Sequence, residues 1–307
     1  MRRFFNTAGP CRPDMHYMLP PERRIPEVRE LIDRAQYFVV HAPRQVGKTT
    51  CLATLAATLT AEGRYAALLA SCEAAQPAGG DIQWGVDAIV SSIDRRAQLL
   101  PPDLRPPGLD ESTGVHPGSR LNRHLSSWAQ QCPHPVVLFL DEIDALQNET
   151  LISVLRQLRD GYQDRPSMFP QSVALIGLRD VRDYKVRVRT DRDSLGTSSP
   201  FNVKVRSLTI ADFTATEVAE LLGQHTAQTG QRFTEEAMAR VFELTRGQPW
   251  LVNALAAELV DKQVPDRTVA ILPEHVEAAR EVLIERRDTH LDSLVERLRE
   301  ERVRRIV

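Results

Sequence analysis

The sequence predicts an α/β core, a parallel sheet flanked by helices, followed by a small all-helical domain. Three observations predict it. Apolar, β-rich runs alternate with helically spaced apolar residues as far as residue 207, which is the signature of parallel strands joined by crossover helices. Strand signals then stop, and residues 208–285 read as helices alone. Between the first strand and the first long helix lies a Pro- and Gly-containing loop that ends in Gly-Lys-Thr.

The elements follow in order. Residues 1–26 are rich in Pro, Arg and aromatic side chains without a period and read as an ordered arm. Tyr37–His41 reads as a strand and Thr49–Leu59 as a helix. Tyr65–Ala70 reads as a second strand and Ile82–Leu99 as a helix with apolar residues at helical spacing. Pro101–Pro117 is a proline-rich connection. Val136–Leu140 is apolar throughout, as a strand covered on both faces of a parallel sheet must be, and runs into Asp141-Glu142-Ile143-Asp144. A helix over Thr150–Gly161, a strand over Val173–Gly177, a charged stretch from Arg179 to Arg192 and a short strand near Phe201–Val205 complete the core. In the helical block, Thr214-Ala215-Thr216-Glu217 is a capping box, because the Thr and Glu side chains satisfy each other's free backbone donors. Further helices are expected from Thr234, over Pro249–Val260 and over Pro273–Ile284. Residues 286–307 read as a mixed-charge helix, a solvated one or the start of a winged-helix segment.

Composition narrows the function classes. The chain has 307 residues, 42% hydrophobic and 26% charged, which suits about two globular domains and excludes wholesale disorder or a fibrous repeat. Lys and Arg total 39 against 41 for Asp and Glu, so no global basic field points to nucleic acid or an anionic membrane. The longest apolar runs fall far short of the roughly 20 residues that span a bilayer. The start lacks the apolar segment of a secretory signal, so the expected location is cytoplasmic and no membrane contact is expected. Cys11, Cys51, Cys72 and Cys132 are too widely spaced for paired metal ligands and read as thiols. Only four basic residues are Lys (Lys48, Lys185, Lys204 and Lys262), so a lysine in a special slot is informative.

Ala42-Pro43-Arg44-Gln45-Val46-Gly47-Lys48-Thr49 holds such a slot. A helix start presents unpaired N–H groups and a positive dipole end, and Gly47 lets the backbone approach phosphate oxygens. Lys48 adds a point charge towards the β- and γ-phosphates. Thr49 offers a hard oxygen to Mg²⁺, and Thr50 continues the same helix start. Asp141 and Glu142 arrive 93 residues after Lys48 at a strand's carboxyl end, the edge at which open parallel sheets bind ligands. Asp141 is expected to hold Mg²⁺ and Glu142 to orient and polarise the attacking water.

These motifs resemble Walker A and Walker B of the P-loop NTPases, with Ala42 in place of the first glycine. The glutamate after the aspartate resembles the ATPase branch. No Asn-Lys-x-Asp motif reads guanine, so the resemblance implies ATP and Mg²⁺ as cofactors. It also implies a γ-phosphate sensor at the end of the next strand, where Arg179 stands; a surface ion pair with Asp180 or Asp183 is the alternative. The helical block is similar to the lid of AAA+ and STAND ATPases, and Arg246-Gly247-Gln248-Pro249-Trp250-Leu251 resembles the Gly-x-Pro element by which STAND lids approach the adenine. A plain helix–helix corner is the alternative. In that family the arm passes near the base, which makes His16 and Tyr17 adenine contacts by resemblance. No arginine finger is clearly placed; Arg187, Arg189 and Arg192 suit a finger, a nucleic-acid phosphate or solvent equally.

The expectation is therefore a prokaryotic AAA-like ATPase of the STAND and origin-recognition-like clade. ATP hydrolysis to ADP and phosphate would switch conformation or assembly with a protein partner or with itself. A slow nucleotide-gated signalling module and a DNA-dependent loader or transposition helper are the alternatives.

Overall fold

A computed structural model describes residues 3–108, 114–178 and 204–286. The chain divides into two compact units, a core unit over Pro20–Ala211 and a helical unit made of Met1–Leu19 with Asp212–Val307. The arm expected to belong to the core therefore belongs, up to Leu19, to the helical unit. The reason is packing: Phe5, Tyr17 and Leu19 are buried among Phe213, Val218, Leu221 and Phe233.

In the core unit, short helices α1 (Pro21–Arg24) and α2 (Glu27–Asp33) precede β1 (Tyr37–His41), and α3 (Lys48–Ala61) follows it. Then come β2 (Ala66–Ser71), α4 (Ile82–Ala97), α5 (Pro117–Gln131), β3 (Val136–Asp141), α6 (Asn148–Asp160), β4 (Ser172–Gly177) and β5 (Lys204–Thr209). The five strands form one sheet in the order β2-β3-β4-β1-β5, with every neighbouring pair parallel. Alternate residues leave opposite faces of a strand, so each strand's apolar run splits between two cores. Val39, Leu68, Leu138 and Leu175 pack with Val86, Ile89, Leu121, Trp128, Val154 and Leu158 of α4, α5 and α6. Phe38, Val40, Leu69, Phe139 and Ile176 pack with Val28, Ile32, Leu52, Leu55 and Leu59 of α2 and α3.

Three helices escaped the sequence reading. α5 begins at Pro117 behind an N-cap, His116, whose side chain accepts from Gly118 N. Its buried Leu121, Leu125 and Trp128 recur at helical spacing, but the proline-rich approach masks the start. α1 and α2 are too short to show a period. The last strand lies at Lys204–Thr209, later than the expected Phe201–Val205.

The helical unit contains α7 (Ala215–Thr229), α8 (Glu235–Thr245), α9 (Pro249–Glu258) and α10 (Pro273–Glu285). The predicted capping box forms: Thr214 N donates to Glu217 Oε2 at 2.8 Å and Glu217 N donates to Thr214 Oγ1 at 3.2 Å. Residues 287–307 of the expected C-terminal helix lie outside the described residues. No helix among the described residues is long and apolar enough to cross a membrane.

Candidate functional site

The site forms at the carboxyl edge of the sheet because the register puts four strand ends side by side. Ser71 pairs with Asp141, and His41 pairs with Gly177. The strand order sets the end of β4 between those of β1 and β3.

The loop after β1 turns through two left-handed residues, Gln45 at φ 66° and Gly47 at φ 86°, and Gly47 is the N-cap of α3. Ala42 has no positive φ among the described residues, so a side chain costs no backbone strain where the motif ordinarily has glycine. Its methyl is buried with Val40, Val46 and Leu52, while Pro43 and Arg44 are exposed. Lys48, Thr49 and Thr50 are the first three residues of α3. N–H groups in the first turn of a helix point away from the helix's own carbonyls and, with the helix dipole, make this end receptive to an anion. The Lys48 ammonium donates to the carbonyls of Ala42 at 2.6 Å and Pro43 at 2.7 Å, across the mouth of the loop.

The two motifs meet. Thr49 Oγ1 donates to Asp141 Oδ2 at 2.6 Å although 92 residues separate them. Asp141 is buried, and burial raises its carboxyl above the ordinary aspartate value, opposed by the Thr49 hydroxyl, the Glu142 N–H and the Lys48 charge. The Glu142 N–H donates to Asp141 Oδ1 at 2.9 Å. A hydroxyl and a carboxylate side by side at a phosphate-type loop are hard oxygen donors of the kind Mg²⁺ shares with phosphates and water, so the donor set fits that ion.

Glu142 is exposed and takes a left-handed conformation, φ 58°, uncommon outside glycine. That turn carries its carboxylate away from the β3 axis to Ser71, whose hydroxyl donates to Glu142 Oε2 at 2.5 Å and accepts from Glu73 N at 3.0 Å. Sequence reasoning missed Ser71, since only the β2–β3 register brings it beside Asp141. It also gave Asp144 no role; Asp144 Oδ1 accepts from Leu178 N at 2.8 Å and so anchors the backbone just beyond β4. Arg179, Arg187, Arg189 and Arg192 lie outside the described residues.

Three other expected nucleotide contacts sit in the helical unit. Tyr17 is only 1% exposed: its ring lies 4.7 Å from that of Phe5, and its hydroxyl donates to Gln228 Oε1 at 2.6 Å. His16 is buried with its ring edge-on to Phe4, and Nδ1 accepts from Arg12 N at 2.8 Å. Both side chains are thus buried among aromatic and polar residues of the helical unit itself. Pro249 is buried at the first position of α9, where a missing N–H costs nothing. Ahead of it, Arg246 and Gly247 are both left-handed, at φ 50° and 77°, and Gly247 O accepts from Phe213 N at 2.8 Å.

Residues 22–169 match the family described as AAA ATPase domain. Among solved structures, a Walker-type ATPase of Pyrococcus abyssi is similar over 95% of this chain and 79% of its own, at 16% identity and a TM-score of 0.64. The Holliday junction branch migration motor RuvB of Thermotoga maritima is similar over 85% of this chain and 67% of its own, at 16% identity and a TM-score of 0.50. The ORC2 protein of Aeropyrum pernix is similar over 84% of this chain and 64% of its own, at 12% identity and a TM-score of 0.50. No curated protein matches the chain. At these identities the structural likeness speaks for the fold alone; the match to an AAA ATPase domain lies over residues 22–169, the part of the chain that holds the joined loop and acidic strand end.

Proposed function

We propose that the protein hydrolyses Mg²⁺-bound ATP to ADP and phosphate and uses the cycle to switch conformation or assembly, in the manner of STAND-type ATPases. The observation that carries this reading is the Thr49–Asp141 hydrogen bond, which joins the phosphate loop to the acidic strand end. The nucleotide phosphates would be held by the N–H groups of residues 45–50 and by the Lys48 ammonium, which exchanges its two carbonyl partners for phosphate oxygens. Thr49 and Asp141 would hold Mg²⁺, which when bound neutralises phosphate charge and orients the γ-phosphate for attack. Glu142, exposed beside that pair, accepts a proton from a water and aims its lone pair at the γ-phosphorus. Arg179 remains our sensor candidate, and Pro249 our candidate for the helical unit's approach to the base. The free thiols of Cys72 and Cys132 favour a reducing compartment such as the cytoplasm. The partner is proposed to be a protein, either another chain or a second copy of this one.

The test is ATP binding and turnover in wild type, Lys48→Ala and Glu142→Gln. Lys48→Ala is expected to lose binding. Glu142→Gln is expected to bind ATP normally and to lose turnover by about a hundredfold or more, the usual contribution of a positioned general base. Unchanged turnover in Glu142→Gln refutes the assigned base, and unchanged binding in Lys48→Ala refutes the phosphate loop. Light-scattering mass with no nucleotide, ADP and a non-hydrolysable ATP analogue tests assembly.

A further inference from the structure

Arg24 closes α1 and reaches two backbone carbonyls far apart in sequence. Its Nη2 donates to Val46 O in the phosphate loop at 3.3 Å and to Ala211 O at 2.5 Å. Nη1 stands 3.9 Å from where a Cβ on Gly47 would be. Ala211 is the last residue of the core unit before the chain passes into the helical unit at Asp212. One guanidinium therefore touches both the loop that would hold phosphate and the backbone by which the chain leaves the core.

The peptide group makes this more than a tether. A trans peptide is planar, so its C=O and N–H point in opposite directions. Holding the Val46 carbonyl on Arg24 aims the Gly47 N–H away from Arg24, and this N–H belongs to the N-cap of α3, among the donors that a phosphate would draw on. Nη2 carries two hydrogens, one for each carbonyl, so any rotation of the Val46–Gly47 peptide that moves the Val46 carbonyl pulls on the guanidinium that also holds Ala211. A planar guanidinium serves two acceptors in fixed geometry, which an ammonium does not.

We propose that Arg24 is a positioning residue that reports the state of the phosphate loop to the exit of the core unit at Ala211. A polyphosphate on the Gly47 N–H turns the Val46 carbonyl, the Arg24 guanidinium moves with it, and its hydrogen bond to the Ala211 carbonyl changes, altering the hold on the connecting backbone. This rests on the ATP-driven switch proposed above.

The test is amide hydrogen exchange of the peptide spanning 207–214 in wild type, Arg24→Ala and Arg24→Lys. Each is measured with ADP and with a non-hydrolysable ATP analogue at saturation, binding being confirmed by fluorescence titration. Wild type is expected to exchange at different rates in the two nucleotide states, and both variants to lose that difference while still binding nucleotide. If Arg24→Ala raises exchange throughout β1 and β3, it has lost its fold and Arg24→Lys decides the outcome. A difference that persists in the folded variant overturns the inference and leaves the switch standing. A wild type that binds both nucleotides with no difference at 207–214 overturns the inference, and if its mass and overall exchange are also unchanged, the switch falls with it.

Discussion

Gly247→Ala separates a structural corner from a merely tolerated glycine. A Cβ on Gly247 would stand 1.8 Å from Phe213 O and 2.8 Å from Phe213 C, backbone atoms that cannot swing aside, and φ there is +77°. The left-handed conformation costs a non-glycine residue about 1–2 kcal/mol. Overpacking that moves backbone adds about 1–3 kcal/mol, for a total of roughly 2–5 kcal/mol. Gly230→Ala isolates the first term, because Gly230 has φ +80° with nothing within 4 Å of its would-be Cβ. Both lie in the helical unit, so native-state amide exchange read by mass spectrometry over α7–α9 compares them directly as opening free energies. Gly230→Ala is expected to lower the opening free energy by about 1–2 kcal/mol, and Gly247→Ala by about 1–3 kcal/mol more. Equal losses would refute the close approach of Gly247 to Phe213. They would leave the left-handed φ as the structural reason for glycine in the Arg246–Pro249 corner.

Three further outcomes are expected. Asp141→Asn should abolish turnover yet stabilise the nucleotide-free protein by about 1 kcal/mol, since it removes a buried charge while an amide still serves the Thr49 hydroxyl and the Glu142 N–H. The folded-state pKa of Asp141 lies above its ordinary 3.8, so the wild-type deficit is present at neutral pH, shrinks as pH falls through the raised value and vanishes below the ordinary one; urea titrations across pH read this gap. Ser71→Ala should raise kcat about threefold and leave the KM for ATP unchanged, because it frees the Glu142 carboxylate oxygen from the Ser71 hydroxyl for the attacking water; steady-state kinetics decide, and a fall in kcat would mean that Ser71 orients Glu142 instead. Ala42→Gly should keep nucleotide affinity and lower stability by about 1–2 kcal/mol, from a lost buried methyl and a freer unfolded chain, as thermal melting of the pair would read.

The residues of the candidate site were legible in part because they are constrained locally. Gly47, Lys48 and Thr49 stand at a strand–helix junction whatever the rest of the chain does, and Asp141 and Glu142 follow a run too apolar to be anything but a buried strand. The residues that hold them were not legible. Ser71 ends a strand like any other until β2 is paired with β3 in one register, and Arg24 sits in a four-residue helix with no pattern to read. His16 and Tyr17 were assigned to the base by resemblance, and only the structure shows that they are buried against Phe4, Phe5 and Gln228 within the helical unit.

By itself the sequence determined the alternation of strand and helix, the anion-receptive start of α3, the paired carboxylates at the end of β3 and the capping box that opens the helical block. Each follows from interactions within a few residues: backbone sterics, the helix dipole, side-chain caps and the periods of strand and helix. The tertiary structure alone decided that β4 stands between β1 and β3, that Thr49 reaches Asp141 across 92 residues, and that the arm before Leu19 packs with the far end of the chain. Register and packing are long-range choices, made by burying two sheet faces and one helical core at once, and no local pattern encodes which distant partner completes them.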